Sequence, residues 1–112
     1  MRAKLKFKGK EIVIEDIERV KGMKKFSGLM FNKSGNALLF EFEKLTNEPI
    51  TSIFCPDFLA IWLNQGKIVD YRLIVSNRFS IKPKAEFTSL LEIPLNNKYN
   101  NVVKFFLGKE KV

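Results

Sequence analysis

The chain has 112 residues, of which 46% are hydrophobic and 29% are charged. This length and apolar content favour one folded domain, residues 1–112, with a single core, and they argue against disorder. The formal net charge of +8 makes nucleic acid a partner class to test.

Residue counts exclude several kinds of site. With one cysteine and no histidine, the chain cannot form an internal disulfide, a Cys-X-X-Cys pair or any site that requires imidazole. No apolar run approaches the ~20 residues of a membrane-spanning helix, the N-terminus MRAKLKFKGK lacks the apolar core of a signal peptide, and the glycines form no phosphate-binding loop. We therefore expect a cytoplasmic protein with no membrane partner, no metal and no cofactor.

The first predicted element is a hairpin. Cationic residues occupy alternate positions from Arg2 to Lys10, opposite Ala3, Leu5 and Phe7, which predicts a strand with one solvated face. A turn at Gly9 leads to a second strand at residues 11–14. The outward lysines have two interpretations, a solubilising face that discourages aggregation and a phosphate-binding strip.

A short helix is predicted next, over residues 15–25. Ile17, Val20 and Met23 recur every three residues, acidic residues precede them, and lysines follow them. A turn is predicted at residues 32–36, followed by a strand at residues 37–44 whose alternate apolar side chains enter the core.

The second half of the chain is predicted to be mostly strand. Residues 50–55 lead to 57–63, a run that is apolar on both faces and so fits a central strand. A bend at residues 64–66 returns the strand 67–75, and a loop of about ten residues follows at 76–86. Further strands are predicted at 87–93 and 101–107, on either side of a turn or single helical turn at 95–100.

These elements predict an α+β, mostly β fold, a single compact domain. Its curled, mainly antiparallel sheet or partly closed barrel carries one or two short helices. Glu41, Glu43, Asp70 and Glu92 are predicted to face outward. The predicted core consists of Phe7, Ile12, Ile14, Val20, Phe40, Phe42, Ile61, Leu73, Leu91 and Phe105.

Five short motifs occur in a fixed order: Gly28-Leu-Met-Phe31, Leu38-Leu-Phe-Glu-Phe42, Ser52-Ile-Phe-Cys-Pro-Asp57, Asn64-Gln-Gly-Lys-Ile-Val69 and Leu91-Glu-Ile-Pro94. Together they resemble the domain of unknown function 192 (DUF 192) family over about residues 12–103. The resemblance implies a compact, mostly β domain and no established activity. The chain departs from the family pattern at Asn32, where members usually have Arg, at Asn96, where they have Gly, and before the Pro-Asp motif, where His or Trp is missing.

Two residues near the fourth predicted strand could take part in catalysis or binding. Cys55, beside Phe54 and Pro56, is typical of a small buried hydrophobe, with a reactive thiol as the alternative. Asp57 is predicted either to cap backbone N–H groups or to contact a ligand. We assign no catalytic residue.

Two candidate sites follow from these patterns. A small-molecule site is predicted where three segments converge: residues 28–32 after the predicted helix, the Pro-Asp motif and the long loop. Its lining residues are Met30, Phe31, Asn32, Asp57 and Arg78. The alternative is a nucleic-acid surface, in which cations surround the Phe79 ring and that ring stacks on a base. In the purely structural interpretation, Phe79 instead folds back under the loop against the core. The residues of the nucleic-acid surface are Arg72, Arg78, Phe79, Lys82 and Lys84.

The sequence therefore favours a non-catalytic binding or accessory module for a small molecule or a protein partner. Two alternatives stay open. One is binding of RNA or DNA through the basic surface, and the other is an enzyme that uses carboxylate or lone-thiol chemistry.

Overall fold

The computed structural model describes residues 1–20, 34–52, 55–78 and 80–108. Most of these residues lie in strands, which agrees with the mostly β prediction. The strands are β1 (Ala3–Phe7), β2 (Lys10–Ile14), β3 (Ile17–Val20), β4 (Ala37–Thr46), β5 (Phe58–Asn64), β6 (Lys67–Ile74) and β7 (Phe87–Pro94). A 3-10 helix (Asn97–Tyr99) and an α-helix, α1 (Asn100–Leu107), follow β7.

Two of the predicted hairpins are confirmed, and they share one type of turn. Lys8 and Gly9 join β1 to β2 with φ angles of 53° and 77°, and Gln65 and Gly66 join β5 to β6 with φ angles of 50° and 82°. Two successive residues with positive φ match the right-handed twist of the flanking strands. Glycine adopts the second of these positions without steric strain.

The main sheet has five strands in the order β3-β4-β7-β5-β6, and β1 with β2 forms a separate two-stranded sheet. β3 and β4 are parallel, whereas the other neighbours are antiparallel. The two sheets are not closed into a barrel, so of the two predicted architectures the open, mainly antiparallel sheet is the one observed. The doubly apolar segment predicted to be central is the interior strand β5, and the middle strand is β7.

Each face of the main sheet carries its own apolar cluster because both faces are covered. The first face presents Leu59, Ile61, Leu91 and Ile93, which pack against the hairpin and α1. The second face presents Phe58, Ala60, Trp62 and Leu90. These side chains pack against residues from the loops. Since β5 contributes to both clusters, an uninterrupted apolar sequence is what its position requires.

Residues 1–7, which include β1, reach from one edge of the main sheet to the other across the first face. At one end, the Ile17 N–H of edge strand β3 donates to the Met1 carbonyl at 2.8 Å. At the other end, the Phe7 ring lies 4.9 Å from the ring of Tyr71 in edge strand β6, centroid to centroid. Six residue steps of about 3.3 Å span about 20 Å, which matches four inter-strand spacings of about 4.8 Å.

Tyr99, in the 3-10 helix, ties together parts of the chain that are distant in sequence. The Ala37 N–H donates to its hydroxyl oxygen at 2.7 Å. The hydroxyl in turn lies 2.8 Å from the Asp16 carbonyl and 3.0 Å from the Glu15 carbonyl, to which it can donate. Burial raises the pKa of the Tyr99 hydroxyl, the hydrogen bond from Ala37 opposes that rise, and the negative charges of Asp16 and Glu18 add to it.

The predicted helix at residues 15–25 is wrong for its described part. Ile17–Val20 is the edge strand β3, and residues 21–25 lie outside the described residues. Ile17 belongs to the cluster on the first face, and Val20 belongs to the cluster on the second. Residues three apart in a strand point to opposite faces, and here both faces are covered, so their spacing imitates that of a helix.

The predicted strand at residues 101–107 is also wrong, because this segment is helix α1. Val102, Val103 and Phe106 are buried, which is the one-sided pattern of a helix. Gly108 ends the helix with a φ angle of 76° and donates its N–H to the Lys104 carbonyl. No helix within the four described ranges is long and apolar enough to cross a membrane.

Other local predictions have mixed outcomes. Of the predicted segment 50–55, Ile50 forms an isolated bridge with Ile81, and residues 53 and 54 lie outside the described residues. The predicted core side chains that are buried are Ile14, Val20, Phe40, Ile61 and Leu91. Those that are only partly buried are Phe7, Ile12, Phe42, Leu73 and Phe105.

The outward orientation predicted for four acidic residues is correct for two of them. Glu41 and Glu43 are exposed on β4. Asp70 and Glu92 are instead buried, at 6% and 5% exposure, on the second face. The prediction was wrong there because it assumed one wet face, whereas loop residues cover this face of the sheet.

Candidate binding surface

The candidate surface is the β6–β7 loop, residues 75–86, of which residue 79 lies outside the described part. The sequence predicted a long loop at 76–86 with a functional role. Loops of this length that carry little regular structure are uncommon unless they are functional or disordered. The contacts that fix this loop to the rest of the domain are therefore informative.

Ser52 fixes the start of the β6–β7 loop. Its side chain is fully buried, and its hydroxyl donates to the Val75 carbonyl at 2.7 Å and accepts the Arg78 N–H at 2.8 Å. Its backbone N–H donates to the Arg78 carbonyl at 2.9 Å, and its own carbonyl accepts the Asn77 N–H at 2.9 Å. One buried serine thus satisfies four polar groups of three loop residues.

Asp57 holds the same end of the loop from the other side. Its carboxylate accepts the Ser76 N–H at 2.9 Å and the Ser76 hydroxyl at 3.0 Å. This is the capping interaction that the sequence offered as one of two roles for Asp57. Hydrogen bonds to a carboxylate are stronger than those between neutral groups.

Asp70 fixes the far end of the loop. Its carboxylate accepts the Lys84 N–H at 3.0 Å, the Tyr71 N–H at 2.8 Å and an N–H of the Arg72 guanidinium at 3.0 Å. The Arg72 guanidinium also donates to the Lys82 carbonyl at 2.8 Å. The Asp70 side chain is only 5% exposed, against 42% for Arg72, so its charge is balanced by a cation at the boundary with solvent.

Packing completes the attachment of the loop. The Arg72 guanidinium carbon lies 5.4 Å from the ring centre of the fully buried Trp62, a cation–π contact. Ile50 and Ile81 exchange two backbone hydrogen bonds at 2.9 Å each, and Ile81 joins the apolar cluster of the second face. The β6–β7 loop is therefore fixed at its start, middle and end.

The charged side chains of the loop face outward. Arg78, Lys82 and Lys84 are exposed. Their backbone groups are the ones that Ser52 and Asp70 bind or that Arg72 contacts, so the anchoring uses the main chain and leaves the cationic ends to solvent.

The structure brings together some of the residues predicted for each site. Of the small-molecule set, Asp57 contacts Ser76, two positions before Arg78, whereas Met30, Phe31 and Asn32 lie outside the described residues. Of the nucleic-acid set, Arg72, Arg78, Lys82 and Lys84 all belong to or contact the β6–β7 loop, and Phe79 lies outside the described residues.

Sequence analysis missed two of the three side chains that anchor the loop, Ser52 and Asp70. Ser52 precedes residues whose pattern predicts only a strand, and nothing in the sequence shows that its hydroxyl is buried. Asp70 carried a usable signal, because Asp is disfavoured inside strands and here lies between Val69 and Tyr71.

Acidic side chains and the thiol were the remaining sources of metal or nucleophilic chemistry. Over residues 1–20, 34–52, 55–78 and 80–108, no group of three or more acidic, Cys or His side chains could hold a metal ion. Cys55 is buried, at 7% exposure, as predicted for a small apolar side chain.

No family model matches the chain, and no curated protein matches it. Two solved structures are similar. The crystal structure of a "putative transcription regulator" from Sinorhizobium meliloti 1021 has a TM-score of 0.70 and 13% sequence identity, over 90% of this chain and 83% of that one. The crystal structure of a protein of unknown function from Novosphingobium aromaticivorans DSM 12444 has a TM-score of 0.65 and 12% identity, over 83% of this chain and 71% of that one.

These likenesses show the fold. At 12–13% identity they do not show a shared function. The resemblance to the DUF 192 family stays a prediction of the sequence.

Proposed function

We propose that the protein is a non-catalytic binding or accessory module whose binding element is the β6–β7 loop. The observation that supports this is the anchoring of the loop by three side chains from elsewhere, Ser52, Asp57 and Asp70. A loop that is already ordered loses less conformational entropy when a partner binds, so its affinity is higher for the same contacts.

The chemistry of the loop surface indicates an anionic group on the partner. Arg78, Lys82 and Lys84 present their cationic ends to solvent on one anchored loop. A carboxylate or phosphate, on a small molecule or a protein, fits such a surface through charge-assisted hydrogen bonds.

Nuclear magnetic resonance tests this proposal. Backbone amide shifts would be followed while ¹⁵N-labelled protein is titrated with anionic small molecules and with an acidic peptide. We expect shifts that concentrate in residues 75–86, and Arg78→Ala should weaken binding. Shifts spread evenly over the domain, or located on another surface, would contradict the proposal.

A matched pair of variants separates anchoring from charge. Ser52→Ala removes two loop hydrogen bonds without changing the surface charge, so it should weaken binding by mobilising the loop. Ser89→Ala is the control, because Ser89 is a partly buried serine in β7, outside this network. If both variants bind as the wild type does, the loop is not the binding element.

Nucleic acid is the second candidate partner, supported by the position of the basic residues. All four described members of the predicted set belong to or contact the β6–β7 loop, in a chain of net charge +8. One of the two proteins with a similar fold is described as a "putative transcription regulator". Cations on one surface bind phosphates by releasing counterions.

Salt dependence tests the nucleic-acid candidate. The affinity for a labelled oligonucleotide should fall steeply as the salt concentration rises. A plot of log affinity against log salt concentration should have a slope of about −0.7 for each phosphate contacted on a single strand. Arg78→Glu with Lys82→Glu should weaken binding more than the neutral pair Arg78→Gln with Lys82→Gln. Affinity that is insensitive to both salt and charge reversal would remove this candidate.

Two further expectations from the sequence stay proposals. Membership of the DUF 192 family rests on the five ordered motifs, and superposition on a structure of a family member would test it. A cytoplasmic location rests on the sequence alone. We do not propose an enzyme, since Cys55 is buried and Asp57 binds Ser76, so neither residue offers chemistry that the geometry favours.

A further inference from the structure

Three aromatic side chains meet at the surface where the hairpin, β6 and α1 come together. We name this group the aromatic junction, and it consists of Phe7, Tyr71 and Phe105. The ring centres of Phe7 and Tyr71 are 4.9 Å apart, and those of Phe7 and Phe105 are 6.0 Å apart. All three side chains are partly exposed.

A buried ring supports the aromatic junction from below. Phe106 is 5% exposed, and its ring centre lies 5.1 Å from that of Phe7 and 5.4 Å from that of Tyr71. The junction is therefore rigidly backed by the core while part of its own ring surface stays accessible to solvent.

Cationic side chains border the aromatic junction. Lys8 Nζ lies 5.2 Å from the centre of the Phe7 ring, and Lys10 is the cross-strand partner of Phe7 in the hairpin. Lys104 precedes Phe105 on α1 and is exposed. Of the acids near in sequence, Glu11 pairs with Lys6 on the opposite face of the hairpin, and Asp70 lies beside Trp62 on the second face of the main sheet.

The aromatic junction is also connected to the β6–β7 loop. Arg72 directly follows Tyr71 in β6, and its guanidinium donates to the Lys82 carbonyl at 2.8 Å. Because neighbouring side chains of a strand point to opposite faces, the junction and the loop lie on the two sides of edge strand β6.

We propose that the aromatic junction is a stacking platform for the bases of a single-stranded nucleic acid, with Lys8 and Lys10 contacting the adjoining phosphates. This inference rests on the nucleic-acid candidate above and deepens it. Accessible rings interleaved with cations are the features by which single strands are bound without sequence preference. Duplexes are not favoured, because paired bases do not expose their faces to stack on a side chain.

The first test uses wild-type protein and two ligands. An oligothymidylate of about twelve nucleotides is compared with an abasic oligomer of the same length, which keeps the phosphates and lacks the bases. Since stacking on one platform contributes about 5- to 150-fold in affinity, the oligothymidylate should bind tighter by a factor in that range. Equal affinities would overturn the inference without any variant.

The second test uses a matched pair at one position. Tyr71→Leu removes the ring but keeps an apolar side chain, and Tyr71→Phe keeps the ring. We expect Tyr71→Leu to lose the preference for oligothymidylate over the abasic oligomer and Tyr71→Phe to retain it. If Tyr71→Leu does not fold by circular dichroism, Phe105→Leu takes its place with the same expectation.

The outcomes distinguish this inference from the proposed function. If wild-type protein binds neither oligomer at low salt, the nucleic-acid candidate fails, and the inference fails with it. If both oligomers bind equally and only charge reversal at Arg78 and Lys82 weakens binding, then the β6–β7 loop binds nucleic acid and the inference about the aromatic junction is wrong. Tighter binding of an acidic peptide than of oligothymidylate would identify the surface as a protein interface and would also overturn it.

Discussion

A single hydroxyl group, that of Tyr99, connects the start of β4 with the bend between β2 and β3. Phenylalanine has the same ring but no hydroxyl, so Tyr99→Phe would leave the buried Ala37 N–H without its acceptor. An unsatisfied buried group costs about 1–3 kcal/mol. We expect the free energy of unfolding to fall by about that amount in urea titrations. A change within about 0.3 kcal/mol would show that water replaces the hydroxyl.

The same hydroxyl predicts a loss of stability at alkaline pH. The pKa of Tyr99 is raised from the ordinary value of 10.0, so above that value the unfolded chain loses this proton before the folded protein does. The folded state then binds more protons, and stability falls as pH rises from about 10 through the raised pKa, while it is fully present below.

The measurement compares unfolding free energies at about pH 8 and about pH 11 for wild-type protein and Tyr99→Phe. Changes of charge elsewhere in the chain are common to both proteins and cancel in the comparison. The wild type should therefore lose more stability than Tyr99→Phe. Equal losses would mean that Tyr99 does not contribute to the alkaline transition.

Asp70 is a second residue whose contribution to stability can be tested by one substitution. Asp70→Ala removes the acceptor of the Lys84 N–H and of the Arg72 guanidinium, which stays 42% exposed and can be solvated. We expect a loss of about 1–3 kcal/mol, together with faster hydrogen exchange at Lys84. The exposed Glu86→Ala is the control and should change stability by less than about 0.5 kcal/mol.

Predictability at the residue scale depended on whether a side chain acts through burial or through hydrogen bonds. Alternation placed Ile14, Phe40 and Ile61 correctly in the core, because burial follows the period of a strand. It misplaced Asp70 and gave no role to Ser52. Their partners are backbone groups of a loop that comes close only in the folded structure.

At the scale of elements, the two tight turns carry the clearest prediction. Each has a non-glycine residue, Lys8 or Gln65, in the left-handed region before a glycine. Asparagine tolerates that region better than glutamine, so Gln65→Asn should stabilise the protein by a few tenths of a kcal/mol. Its melting temperature should rise slightly. A decrease would indicate that the Gln65 side chain has a contact that asparagine cannot make.

Elements were predictable where one face alone is buried and less so elsewhere. The β1–β2 hairpin, exposed on one side, shows a period-two pattern that the sequence reveals directly. β3 contacts two apolar clusters within four residues, and α1 contains two successive valines that favour strand by propensity. For both segments, tertiary packing outweighs the local pattern.

At the scale of the whole molecule, the two apolar clusters share strands β5 and β7. Trp62 reports on the second face by fluorescence, and resonances of Val103 report on the first. Since neither cluster can lose these strands alone, we expect the urea unfolding curves from both probes to coincide in one two-state transition. Separate midpoints would show that the hairpin and α1 detach before the sheet unfolds.

The strip of lysines along β1 has a consequence for the time the chain spends on the ribosome. The hairpin is synthesised before the rest of the described domain, and the Tyr99 hydroxyl that donates to the Asp16 carbonyl comes 83 positions after Asp16. At about 5–20 residues per second, the apolar side of the hairpin waits several seconds for its partners. We expect Lys4 and Lys6, which are exposed on the other side of the hairpin, to discourage pairing with neighbouring nascent chains during that time. On this expectation, their charges act before the protein has folded.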